Sequence, residues 1–227
     1  LTEKHDDAAA DLLIKEVDED LRQDELNRLW KKHGGLLTAA AVALVLSVAG
    51  WQGWQGWDAK QRQAASSRYS ETSALVEQGK KDEASEVLAK LAAEGPKGYR
   101  LLAELRRADM AQQAGDFAGA AALYSKIAAD SGVDKVYRDM SAIRAAYLVL
   151  DTSDPAAVEK SVEPLAVEAS SWRHSAREIL ALAALKRGDA ARAADLLAKI
   201  AEDAAAPQGL RTRAAELLAA TGQRARS

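Results

Sequence analysis

Between Lys32 and Asp58 the chain carries no charged residue over 25 positions, and the heart of that run is LLTAAAVALVLSVAG, Leu36 to Gly50. A hydrocarbon core of roughly 30 Å takes about 20 apolar residues of helix to cross. Trp30 and Trp51 bracket the run and lie 21 residues apart, on the order of 31 Å at about 1.5 Å per residue. The run then leads into GWQGWQGW, residues 50–57, which holds three of the five tryptophans of the chain. Glycine at every third position would suit a collagen-type coil, but that needs a long repeat and imino acids, and there is no proline here. Indole rings favour the membrane–water boundary, where the ring is apolar and the N–H is wet. Trp30, Trp51, Trp54 and Trp57 are therefore read as membrane-interface residues. A spacing of three turns each successive ring by about −60°, so Trp51, Trp54 and Trp57 share one broad face beside a smooth face of Gly50, Gly53 and Gly56.

Two other readings fit an apolar run. A buried core helix is one, although such runs are usually shorter. A cleaved secretory signal is the other, with Ser47-Val48-Ala49 as a small-x-small site. The long acidic segment in front argues against it, because a signal opens on a short basic region. Arg22, Arg28, Lys31 and Lys32 precede the run and Lys60, Arg62 and Arg68 follow it. The Lys31-Lys32 pair sits closest to the boundary, which places the N-terminus in the cytoplasm and the larger C-terminal part outside. Within the run, Gly35, Ala39, Ala43 and Ser47 fall at steps of four on one face. Such a ladder lets another transmembrane helix approach closely, and it also arises by chance in an Ala-rich stretch.

Ahead of the run, residues 1–33 hold ten acids and six bases, while the whole chain of 227 residues has a net charge of −3. In DLLIKEVDEDLRQDELNRLW, Asp11 to Trp30, the residues Leu13, Val17 and Leu21 share one helical face, continued with drift by Leu26, Leu29 and Trp30. The polar face is mostly acidic, unlike that of a membrane-surface helix. Either a protein-contacting helix or a solvated arm fits. The chain starts at Leu1 rather than Met, which leaves open whether its initiator end is complete.

Beyond the run, apolar residues recur at three and four rather than two, so the remainder reads as helical. Aligned on Gly79, the segment QGKKDEASEVLAKLA matches AGDFAGAAALYSKIA at Gly115 and RGDAARAADLLAKIA at Gly188 without gaps. A weaker copy, TSDPAAVEKSVEPLA, puts Ser153 at the glycine position, and the successive spacings are 36, 38 and 35 residues. Each column has a physical reason. The glycine ends one helix in a sharp turn. Asp116, Asp154 and Asp189 cap the next helix, and Pro155 suits its first turn. Ala84, Ala120, Val158 and Ala193 let antiparallel helices pack closely. Leu88, Tyr124, Val162 and Leu197, then Leu91, Ile127, Leu165 and Ile200, fill the space between hairpins. Pro164 interrupts the second helix of the third copy.

A repeat of this length with a G-D-x-x-x-A pattern resembles the tetratricopeptide repeat over about residues 65–220, with first-helix small positions at Ala108, Ala146 and Ala181. Residues 208–221 read as a capping helix. The resemblance implies a curved solenoid in which each hairpin completes the core of its neighbour. It also implies a concave face that binds protein or peptide. Mapped onto this chain, the inner-face positions are Leu102, Leu105, Asp109, Met140, Ile143, Tyr147 and Leu182, each of which either lines the groove or packs between repeats. Lysines and asparagines clustered to grip a terminal carboxylate are not seen.

The expected fold is all-α: an N-terminal helix and a single transmembrane helix, followed by a tetratricopeptide-like α-solenoid of about four helical hairpins. The divisions are 1–33, a cytoplasmic acidic segment; 34–57, the transmembrane helix; 58–78, a connector and first solenoid helix; and 79–227, the repeats with the capping helix. Cysteine is absent and the three histidines, His5, His33 and His174, are scattered. No phosphate loop, nucleophile elbow or zinc-protease motif is present. An enzyme is not expected, nor are a catalytic residue, metal, cofactor, small-molecule substrate or nucleic-acid partner.

The order of acidic helix, LNRLWKKHGG, apolar run, GWQGWQGW and tetratricopeptide hairpins resembles the ancillary SecYEG translocon subunit family of Gram-negative inner membranes. The likeness is strongest from Leu26 to Trp57. It implies a single-pass inner-membrane protein with periplasmic repeats and with the SecYEG channel, periplasmic chaperones and exported chains as partners. A scaffold for another envelope complex, in cell division or cell-wall assembly, is the alternative.

Overall fold

The computed structural model describes residues 3–224, with side chains described for 28, 30–222. The chain divides into two units, Leu1–Lys60 and Gln61–Ser227. Among the described residues all regular structure is helical, as the residue spacing predicts.

The first helix, α1, runs Glu3–Glu77. It takes in the acidic segment, the apolar run and the connector as one element. The face assigned to Leu13, Val17 and Leu21, and its continuation at Leu26 and Leu29, falls outside the described side chains. Within the first unit the apolar side chains are exposed, including Leu36, Leu37, Val42, Leu44, Val45, Leu46 and Val48. Polar side chains in the run turn inward on the helix itself. Thr38 Oγ1 donates to the Gly34 carbonyl at 2.7 Å and Ser47 Oγ to the Ala43 carbonyl at 2.7 Å. A hydroxyl that donates within its own helix has no donor left for water to satisfy. The Trp30 ring lies over Gly34, where a Cβ would come within 3.2 Å of the indole.

In the second unit Ala65 of α1 shares a buried cluster with Leu88 and Leu91 of α2 (Lys81–Glu94). The hairpins α3 (Lys97–Gln113) and α4 (Phe117–Ala129), α5 (Lys135–Val149) and α6 (Pro155–Val162), and α7 (Arg173–Lys186) and α8 (Ala190–Ala201) follow, and α9 (Gln208–Arg224) packs on α8. All twelve of the repeat-column residues named above from the second helices are buried, as are the first-helix positions Ala108, Ala146 and Ala181. Each cluster joins successive hairpins. Ala65, Leu88, Leu91 and Ala103 form one, and Ala108, Ala121, Tyr124, Ile127 and Ala145 the next. Ile143, Val158, Val162, Leu165 and Ile179 form the third, and Ala181, Leu197, Ile200 and Ala214 the fourth. The apolar face of each second helix is thus covered by the first helix that follows it.

Three turns repeat one another. Gly79, Gly115 and Gly188 have φ of 79°, 83° and 80°, and in each the glycine N–H and the next N–H close the preceding helix. For Gly115 these bonds run to Gln112 and, from Asp116, to Ala111, both at 3.0 Å. Only glycine enters this region without a Cβ clash. Asp116, Asp154 and Asp189 then accept N-cap bonds from Gly119, Ala156 and Arg192.

The third hairpin departs at both ends. Ser153, aligned to the glycine column, does not take the left-handed conformation, since no non-glycine described residue has positive φ. A longer turn replaces it. Lys186 of α7 supplies the cap from outside, its Nζ donating to the carbonyls of Leu150, Asp151 and Ser153 at 3.1, 2.7 and 3.2 Å. Pro164 then converts the end of the second helix to a 3₁₀ turn, Glu163–Leu165, so α6 has 8 residues where α4 has 13. The tighter turn still delivers Leu165 to the core.

Candidate protein-binding surface

The first helices α3, α5, α7 and α9 are tied to one another by polar rungs: ion pairs between α3 and α5 and between α7 and α9, and a phenol–carboxylate bond between α5 and α7. Asp109 of α3 accepts from Arg144 Nη1 of α5 at 2.8 Å. Both meet the Tyr124 hydroxyl of α4, which donates to Asp109 at 2.5 Å and accepts from Arg144 at 2.6 Å. The guanidinium also sits over the Tyr124 ring, 5.4 Å from its centroid, a cation–π arrangement. One hairpin further on, Tyr147 of α5 donates to Glu178 of α7, and Arg213 of α9 takes the same carboxylate with two bonds. Burial, then the hydrogen bond to the neighbouring carboxylate, pushes both phenols above their ordinary value: Asp109 acts on Tyr124 and Glu178 on Tyr147.

The residues mapped to the inner face do not share one environment. Leu102 and Tyr147 are exposed, while Leu105, Asp109, Met140 and Leu182 are half-buried. Leu105 packs against the cluster of Ala108 and Tyr124. Ile143 is buried with Val158 and Ile179 and reaches no open surface. Asp109 and Tyr147 lie together beside an open cleft of about 670 Å³, whose other lining residues are Gln112, Gln113, Phe117, Arg144 and Leu148. The sequence reading passes over Arg144, Glu178, Arg213 and Phe117. A signal for the rungs exists, since Asp109–Arg144 and Glu178–Arg213 each pair opposite charges 35 residues apart, one repeat length. Phe117 is the sole phenylalanine of the chain and is 53% exposed at the first turn of α4.

A second open space, about 480 Å³, lies between α4, α5 and α6. Its lining is alanine, serine and valine throughout, including Ala122, Ser125, Ala157 and Ser161.

In the first unit Trp30, Trp51, Trp54 and Trp57 are all exposed, and the Trp51 and Trp54 rings lie 5.6 Å apart. Gly35, Ala39, Ala43 and Ser47 are exposed as well. Within Trp30–Glu77 the mean hydropathy reaches 1.8, enough in length and composition to cross a membrane, and the apolar window is almost wholly unburied. A single-pass anchor and a signal sequence both fit a helix of this kind near the N-terminus.

A family profile described as a tetratricopeptide repeat-like domain matches residues 27–194. The chain belongs to that family. The tetratricopeptide repeat-like match begins ahead of the apolar run and ends within α8. Tetratricopeptide repeat-like domains are scaffolds for protein–protein binding and typically carry no catalysis, and the match identifies no catalytic family. No curated protein and no solved structure matches the chain.

Proposed function

We propose that the chain is a membrane-anchored adaptor or chaperone of the bacterial inner membrane. Its hairpins lie in the periplasm and act beside the SecYEG translocon on exported chains. The observation that carries this reading is the extent of the family match, which takes in the tryptophan-bracketed apolar helix and the hairpins together. The resemblance of residues 26–57 to the translocon's ancillary subunits supplies the partner, and the unburied apolar side chains of the run suit lipid as their solvent. An anchor confines the solenoid to the membrane surface and raises its effective concentration near membrane-bound partners. The ladder of Gly35, Ala39, Ala43 and Ser47 is the seam proposed for a partner's transmembrane helix. Tyr147, Asp109 and their neighbours are the proposed client-facing surface.

Photocrosslinking probes at Tyr147 and at Ala43 in living cells test the reading. The expected products are adducts with SecYEG subunits and with exported chains. Probes that crosslink only to a cell-division or cell-wall complex would replace the translocon role with a scaffold role. Carbonate extraction and protease treatment of spheroplasts test the topology. Release by carbonate, or protection of the segment after Asp58 from external protease, would overturn it.

A further inference from the structure

The cleft beside the Asp109–Arg144 rung has a chemistry more specific than protein binding in general. Arg144 makes both of its hydrogen bonds from Nη1, leaving Nε and Nη2 without a bond partner among the described residues. Asp109 accepts both of its bonds at Oδ1, leaving Oδ2 in the same condition. The rung thus presents a donor edge and an acceptor oxygen side by side, and the Gln112 and Gln113 amides add one donor group and one acceptor each. That is the complement of a peptide group, which offers one N–H and one C=O. A ligand carboxylate gains little here, because the guanidinium charge is already answered by Asp109. A helical ligand gains little too, since its backbone groups are spent internally. On the apolar side, Phe117 and Leu148 line the cleft together with the Tyr147 ring, whose hydroxyl is occupied by Glu178.

We propose that this cleft binds an extended, uncharged polypeptide segment. Arg144 and the glutamines donate to its backbone carbonyls, Asp109 Oδ2 accepts a backbone N–H, and one apolar side chain sits against Phe117 and Leu148. The proposal rests on the protein-binding role above and narrows it to a client chemistry. A segment caught before it folds has this character, with backbone groups free and apolar side chains unburied.

The test uses the full chain in lipid nanodiscs and a fluorescent probe, a short capped Ser/Gly/Ala peptide with one central Phe, read by polarisation. Saturable binding is expected. Phe117→Ser, Arg144→Gln and replacement of the peptide's Phe by Ala each weaken it about tenfold, the equivalent of truncating one anchor. Val167→Ser, exposed between α6 and α7 and away from the cleft lining, leaves it unchanged. No binding up to about 1 mM, the weak end of specific association, overturns the proposal. So does indifference to Phe117→Ser, a surface change that leaves the fold intact by thermal melt, or equal affinity for a helix-stapled version of the peptide. Translocon crosslinks at Tyr147 without peptide binding would sink the cleft chemistry alone. Peptide binding without those crosslinks would sink the translocon role alone.

Discussion

Arg213 holds the Glu178 carboxylate from two sides, Nε to Oε1 at 2.5 Å and Nη2 to Oε2 at 3.0 Å. Glu178 is 1% exposed, so this guanidinium and the Tyr147 hydroxyl carry the work of stabilising an ionised group away from water. Arg213→Ala leaves Tyr147 as the remaining partner. The expected loss is about 2 kcal/mol, the usual range for bonds to a charged group, measured by urea unfolding. Glu178→Gln in the Arg213→Ala background should recover part of it, because a neutral amide costs less to leave under-bonded.

The three left-handed turns favour glycine and the fourth does not, so a substitution in either direction should destabilise. Gly188→Ala forces a Cβ into a φ of 80° and should cost about 1–2 kcal/mol. Ser153→Gly relieves no strain, because Ser153 is not left-handed. It should destabilise by about 0.5 kcal/mol through the freer unfolded chain. Thermal melts of the two variants check both signs.

Lys186→Met keeps the apolar stem and removes the ammonium that caps α5. About 1 kcal/mol should be lost. Amide exchange should quicken at Ser153 and along α6 before it changes in α3 or α4, a difference hydrogen-exchange mass spectrometry resolves.

Asp203, in the turn between α8 and α9, is held low, to about 2 from an ordinary 3.8. The main cause is His174 Nε2 at 2.7 Å, followed by the Ala205 N–H at 2.8 Å, with Arg173 adding a smaller share. A carboxyl whose folded pKa lies below its unfolded one contributes stability above the unfolded value. That contribution is lost as pH falls through the folded value. Acid titration should therefore show loss between about pH 4 and pH 2 in the native chain, with a shallower slope in Asp203→Asn.

The solenoid was legible because its grammar is local. A glycine, an aspartate and apolar residues at fixed offsets declare turn, cap and core, and Ala84, Leu88, Leu91 and their counterparts are buried where those offsets put them. The third hairpin blurred because Ser153 carries the position of a glycine without its conformation, and the compensating residue, Lys186, lies 33 positions downstream. The inner face was less legible. Its column positions describe single helices, whereas the surface is decided between helices. Ile143 shares a column logic with exposed neighbours and still turns into the space over Val158. Arg144, one residue on, forms the rung with Asp109. Such pairs run diagonally from one first helix to the next, and a period found by aligning second helices does not track them.

The capping of α5 also sets an order of events. Hairpin corners built on Gly79, Gly115 and Gly188 finish themselves with bonds spanning a few residues. The corner after α5 has local bonds from Thr152 and Ser153 to the Val149 carbonyl, but its Leu150, Asp151 and Ser153 carbonyls wait for a cation made 33 to 36 residues later. A chain emerging N-terminus first therefore holds that bend unfinished until α7 has docked, so the middle of the array matures after its flanks have begun to form.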